Sequence, residues 1–505
     1  MRFAIILFLI SFFPAVASAE RSVSFAEAAD SGGALIAAVS DAENLGDLAG
    51  ILGDEAVEDV RRAIAAKGFA ADVGATLSVV SGAEEFGEIH LVGIGADDMR
   101  LRDWENFGGR AGALAKTTKA EIVSVAAFGA SNEALQRVGV GAMLGAYSFD
   151  KYKSDHEPVT GALNIISTDS GAATAAFDAR GRHLANAVIW VRNMQSEPAN
   201  IIYPEEFVRR ARAELRGVSN ISVQVLDVGD MERLGMGAIL GVGQGSDRPP
   251  RMMIVRYQGG GDEAPIVYAG KGITFDTGGI SLKRNAGMWA MKADMTGAAA
   301  VMGAVQSLAK SHAPVNIVAI AALAENMPGS GAQRPGDVVK TMSGKTIEIM
   351  STDAEGRLVL SDAVWYAQDR YNPRLLVDVA TLTGSVGRAL GDEYAGLFSW
   401  DDGIAARVKA AGEASGDDVW RLPLHKKYNE QIKSVIADFK NGSTGAPGAS
   451  TGAAFIGAFV KEETPWAHLD IAGMDWREEA TATMPLGASG FSVRLLDHLA
   501  RDETE

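Results

Sequence analysis

Four strongly apolar runs in the second half of the chain constrain the fold most: Met252 to Tyr257, Ile266 to Ala269, Ile317 to Leu323 and Leu375 to Val379. They alternate with stretches of helical periodicity, including Met295 to Ala309 and Leu358 to Gln368. Continuous apolar runs belong to strands covered on both faces, and strands separated by helices pair mostly in parallel. This predicts an α/β domain with a mostly parallel central sheet flanked by helices.

Upstream, shorter strands are expected at Ala34 to Val39, Ile89 to Gly93, Ile122 to Phe128 and Leu163 to Ser167, with an amphipathic helix over Val57 to Ala66. These read as a smaller N-terminal α/β domain. Ala172 to Asn193 has the pattern of a long helix and is followed by Pro198 and Pro204. The expected organisation is therefore an N-terminal domain over 20–170, a connecting helix over 171–197 and a larger domain over 198–505. Gly139-Val140-Gly141 and Gly241-Val242-Gly243-Gln244-Gly245 lack the rest of a dinucleotide fingerprint and are expected to be backbone turns.

Arg2, the apolar stretch Phe3 to Val16 and the small residues Ala17-Ser18-Ala19 have the layout of a signal peptide over 1–19. The expected location is periplasmic or secreted, with the cytoplasm as the alternative, and with no membrane attachment of the mature form. A formal net charge of -17 disfavours nucleic acid as a partner. With no cysteine in 505 residues, any metal must sit on oxygen or nitrogen ligands.

Chemistry is concentrated in two segments. The first carries Lys271 and Asp276 in a glycine-rich stretch, then Lys283 and Asp294. A strand ending at Ala269 would put Lys271 and Asp276 in a loop beyond the sheet's carboxyl edge, where open α/β sheets bind ligands. Asp294, just before an apolar helix, would by itself be read as a helix N-cap. The second segment is Ser351-Thr352-Asp353-Ala354-Glu355-Gly356-Arg357-Leu358, which alone could be a solvated turn.

Together, Asp276, Asp294, Asp353 and Glu355 lie at strand-to-helix junctions of one expected sheet, so they can converge. Like charges at close range cannot all stay ionised without cations among them. Divalent metals supply that compensation, and two of them about 3.5 to 4 Å apart form the clamp of many hydrolases. The seven histidines are scattered, which leaves Lys271, as a neutral amine, as the candidate nitrogen ligand.

These segments resemble the leucyl (cytosol) aminopeptidase family. The specific matches are Thr352 to Leu358, Lys271-Gly272 with Phe275 to Gly279, Met291-Lys292 before Asp294, and Glu325-Asn326-Met327-Pro328. Further matches are Arg334-Pro335-Gly336-Asp337, Ala380 to Gly384, and His468 to Gly473. The resemblance implies a metal-dependent aminopeptidase acting on peptides with a free N-terminus, leucine-type residues preferred.

It implies that Lys271, Asp276, Asp294 and Glu355 hold one divalent ion and Asp276, Asp353 and Glu355 the other, with Mn or Zn expected and Mg or Co as alternatives. Lys283 would stabilise the oxyanion, and Arg357 would hold a bicarbonate acting as general base. A homohexamer is also implied. Two departures stand out: Ser351 occupies a position that is usually asparagine, and Asp475 follows a stretch resembling part of the side-chain pocket.

Two rivals are a phosphatase, which would want more basic residues around the site, and an aminopeptidase-fold protein with a DNA-binding or structural role. Retention of all seven site residues argues against the second.

Overall fold

The computed structural model describes residues 21–82, 85–95, 98–155, 159–442 and 448–503; the leader expected over 1–19 lies outside them. Among the described residues no helix is long and apolar enough to cross a membrane.

A six-stranded N-terminal sheet has the order Ser22–Ala26, Ala162–Ile166, Ile122–Ala126, Gly33–Val39, Phe86–Gly93, Thr76–Val80, parallel except for its last pair. An eight-stranded C-terminal sheet has the order Val419–Arg421, Ala395–Phe398, Trp466–Asp470, Leu375–Ala380, Ile266–Asp276, Asn316–Asn326, Arg251–Gln258, Ile221–Leu226. The run from Trp466–Asp470 to Asn316–Asn326 is parallel, and all eleven residues of Asn316–Asn326 are buried. The apolar runs therefore became the doubly covered strands that their lack of alternation requires.

The helix between the sheets comprises Ser170–Ala176, a π turn at Phe177–Gly181 and Arg182–Ser196. It is packed into an apolar core that contains residues of both units, from Val23 to Ala500. Arg192 is fully buried on it and donates to the carbonyls of Leu144, Thr483 and Ser489, tying the two units together.

Both glycine runs expected as turns lie largely in helices. Gly139 and Gly141 belong to Asn132–Ala146, which packs against Leu101–Ala115 so closely that a Cβ at Gly141 would stand 1.9 Å from the Glu105 carbonyl oxygen. Gly241 and Gly243 belong to the helix Gly237–Gly243.

The strand expected to stop at Ala269 continues to Asp276. Its glycines reflect crowding, because the helix Thr296–Lys310 starts directly over them. A Cβ at Gly270 would lie 2.4 Å from the Gly297 carbonyl oxygen. Lys271 and Asp276 are thus carried by rigid, paired backbone.

Candidate metal centre

Six of the seven expected residues meet in one cluster beyond the carboxyl edge of the sheet, in which Lys271, Asp276, Asp294 and Glu355 are buried, Lys283 is half-buried and Asp353 is exposed. Lys271 Nζ lies 2.7 Å from Asp294 Oδ1 and 2.8 Å from Glu355 Oε1, and it donates to the carbonyl of Thr381 at 2.7 Å. Lys283 Nζ lies 2.8 Å from Asp276 Oδ2 and also contacts Asp353. Ligand atoms of Asp276, Asp353 and Glu355 all fall within 4.8 Å of one another.

Each carboxylate is aimed by its element. Asp276 ends its strand, and its Oδ1 accepts from Asn326 Nδ2 of the neighbouring strand at 2.7 Å and from the Gly278 N–H at 2.8 Å. Asp294 is not the N-cap of the helix Thr296–Lys310, a place taken by Met295: it closes the 3-10 turn Met288–Ala293, and its Oδ1 accepts from the Thr381 hydroxyl at 2.6 Å. Asp353 and Glu355 sit on the turn before the helix Gly356–Tyr371. Asn441 clamps that turn, accepting from the Met350 N–H at 2.7 Å and donating to the Ser351 carbonyl at 2.6 Å. Ser351, the departure from the usual asparagine, accepts the Asp353 N–H on its hydroxyl at 3.2 Å.

The electrostatics show what the cluster lacks. Burial opposes the charge on Lys271, but Asp294, Glu355 and Asp276 outweigh it and hold its ammonium above the ordinary lysine range. Burial, reinforced by Glu355, pushes Asp276 up to about 6, and burial likewise raises Asp294 well above the usual carboxylate value. Four carboxylates face two ammonium groups, a deficit of two positive charges when all are ionised. Oδ2 of Asp294 and Oε2 of Glu355 are buried and accept no hydrogen bond. Such lone pairs are costly unless something binds them. Hard divalent cations among oxygen ligands fit both the free lone pairs and the charge deficit.

Arg357 stands apart from the six. Its Nη1 donates to the Asn441 carbonyl at 2.8 Å, and its Nε is buried without an acceptor. Burial disfavours its charge, with Glu355 and Asp470 opposing that effect.

Asn326 and Thr381 lie within the motif-bearing stretches, but their bonds to Asp276 and Asp294 were not expected. Asn441 lies 84 positions after Arg357, with no local signal to connect them.

The fold and site define an α/β protein with a cluster of carboxylates at the carboxyl edge of its sheet that could hold metal ions. Residues 189–497 match the catalytic domain of the cytosol aminopeptidase family, and residues 36–156 match its N-terminal domain. A protein of Caulobacter vibrioides named "Probable cytosol aminopeptidase" is 44% identical over 452 residues, covering 88% of this chain and 91% of that protein. One of the same name from Rhizobium rhizogenes is 42% identical over 502 residues, covering 97% and 100%.

Among solved structures, the bottromycin maturation enzyme BotP in complex with Mn superposes with a TM-score of 0.83 at 32% identity, covering 94% of this chain and all of that one. A tomato leucine aminopeptidase mutant superposes with a TM-score of 0.85 at 30% identity, covering 96% and 97%. The chain belongs to the cytosol aminopeptidase family.

Proposed function

We propose that this chain is a two-metal aminopeptidase that releases N-terminal residues from peptides. The observation that carries the reading is the convergence of Asp276, Asp353 and Glu355 within 4.8 Å, beside the unpartnered oxygens of Asp294 and Glu355. Lys271, Asp276, Asp294 and Glu355 would hold one ion and Asp276, Asp353 and Glu355 the second; Lys271, an ammonium among these carboxylates alone, would have to give up its proton to the incoming cation to serve as a neutral amine ligand. When bound, the ions supply Lewis acidity toward a carbonyl and lower the pKa of water.

Burial opposes the charge on Lys283, but Asp276 and Glu355 outweigh it and favour the ammonium. As an ammonium it would serve as a donor to the oxyanion that develops on the scissile carbonyl. Arg357 would hold a bicarbonate, whose planar oxygens suit a guanidinium and which supplies a general base where no histidine is at hand.

Mn is supported by the BotP complex, with Zn, Mg and Co as alternatives. A homohexamer and the domain limits 20–170, 171–197 and 198–505 complete the reading, and the leucine-type preference that the family resemblance implies is the point on which Asp475 bears. Export through a leader over 1–19 rests on its sequence alone, while the relatives' name goes with the cytoplasm. N-terminal sequencing of the protein from its own cell decides between them.

The substrate class is tested with aminoacyl amides and their N-acetylated counterparts. Release from the free amides alone is expected, and equal cleavage of the blocked forms would overturn the assignment.

A further inference from the structure

The loop after Trp466–Asp470 borders the metal centre. Ala380 and Asp470 are register partners, and the Ile471 N–H donates to the Ala380 carbonyl at 2.8 Å. The Asp470 carboxylate accepts from the N–H groups of Leu382 and Thr383 at 3.0 and 3.2 Å, from the Thr383 hydroxyl at 2.6 Å and from the Ala472 N–H at 3.3 Å. This binds the 471–476 loop to the 381–383 loop, whose Thr381 contacts both Lys271 and Asp294.

Asp475 is fixed at the end of that loop. Its carbonyl accepts from Gln195 Nε2 at 3.0 Å and from the Ser489 N–H at 3.1 Å, and Gln195 also donates to Thr296, two residues beyond Asp294. Its side chain is half-buried and has no ion-pair partner among the described residues. Burial pushes its carboxyl up to about 6, while its own N–H, that of Gly473 and the charge of Lys271 favour the ionised form and Asp470 opposes it.

Neighbouring cations are committed elsewhere. Lys271 serves Asp294 and Glu355; Lys292 donates to the Ser196 carbonyl and lies over the Trp476 ring; Arg477 pairs with Asp392. A half-buried carboxylate left without a cation is costly, and a cation arriving with the substrate removes that cost. Trp476, the next residue, packs edge-on against Trp289, which is 62% exposed.

We propose that Asp475 makes this site a receptor for a cationic N-terminal side chain, lysine or arginine, in place of a purely apolar one. The proposal rests on the aminopeptidase reading above and concerns the substrate's first side chain only.

The test compares kcat/KM for lysyl, arginyl, norleucyl, leucyl and glutamyl 4-nitroanilides in the metal-loaded wild type and in Asp475→Asn. Norleucine has lysine's unbranched four-carbon chain without its ammonium, so the wild type alone measures the charge effect. Lysine is expected to exceed norleucine by about 10- to 100-fold, and Asp475→Asn to remove most of that ratio. Asp475→Lys should move the preference toward glutamate. A lysine-to-norleucine ratio near one in the wild type, or one unaltered in Asp475→Asn, would overturn the proposal. Cleavage of none of the five substrates would overturn the aminopeptidase reading instead.

Discussion

Lys283 Nζ stands 2.8 Å from Asp276 Oδ2 and also touches Asp353, so one ammonium spans carboxylates from two distant chain segments. Once cations occupy those carboxylates, the ammonium is free to face substrate. Lys283→Ala should lower kcat by about 10² to 10³, the usual cost of one oxyanion donor, with a much smaller change in metal content. Metal analysis beside steady-state kinetics checks this. An unchanged kcat removes Lys283 from the chemistry.

Arg357 carries a buried Nε with no acceptor, a geometry that makes sense around a bound anion. Arg357→Ala should keep its metals and lose about 10² to 10⁴ in kcat, the range for a lost general base. Wild type assayed in carbonate-free buffer should slow and recover on adding bicarbonate, while the variant responds weakly. Loss of metals by the variant would make Arg357 a strut for its turn.

Much of this site is legible in the sequence because its ligands sit in short segments whose spacing is set by local backbone. Met252 to Tyr257 and its three companions reveal the sheet because doubly buried strands must be apolar throughout. The limit of Ile266–Asp276 was not legible: Gly270 and Gly272 read locally as a loop, yet they are small because a helix lies on Gly270 and that helix together with Leu323 of the neighbouring strand crowds Gly272. Asp294 looks like an N-cap by the same local rule, and only the fold brings Lys271 and Thr381 to it. The edge strands Ser22–Ala26 and Thr76–Val80 were missed because short, half-exposed segments carry little apolar signal. Asn441 acts across a separation in sequence that no local pattern spans.

Arg192 offers a test of the junction between the two units. Arg192→Met keeps much of the side chain's bulk but strands the carbonyls of Leu144, Thr483 and Ser489, all bonded to it within 3.0 Å. Unsatisfied buried acceptors cost about 1 to 3 kcal/mol each, so a loss of about 3 kcal/mol or more is expected in urea unfolding. A change below about 1 kcal/mol would mean that other groups or water replace the guanidinium.

Aminopeptidase activity is expected to depend on two metal ions that Asp276 and Glu355 would share. The most direct test of this dependence is a metal titration of the chelator-stripped chain, with bound metal and release from an unblocked aminoacyl amide measured on the same samples. No activity is expected before metal is added, with two ions per chain at saturation and full activity only at that loading. Glu355→Gln, with a neutral amide where a charge must serve both ions, should fill neither site at wild-type affinity and stay inactive. Full activity in the stripped wild type, or two tightly held ions in Glu355→Gln, would contradict it.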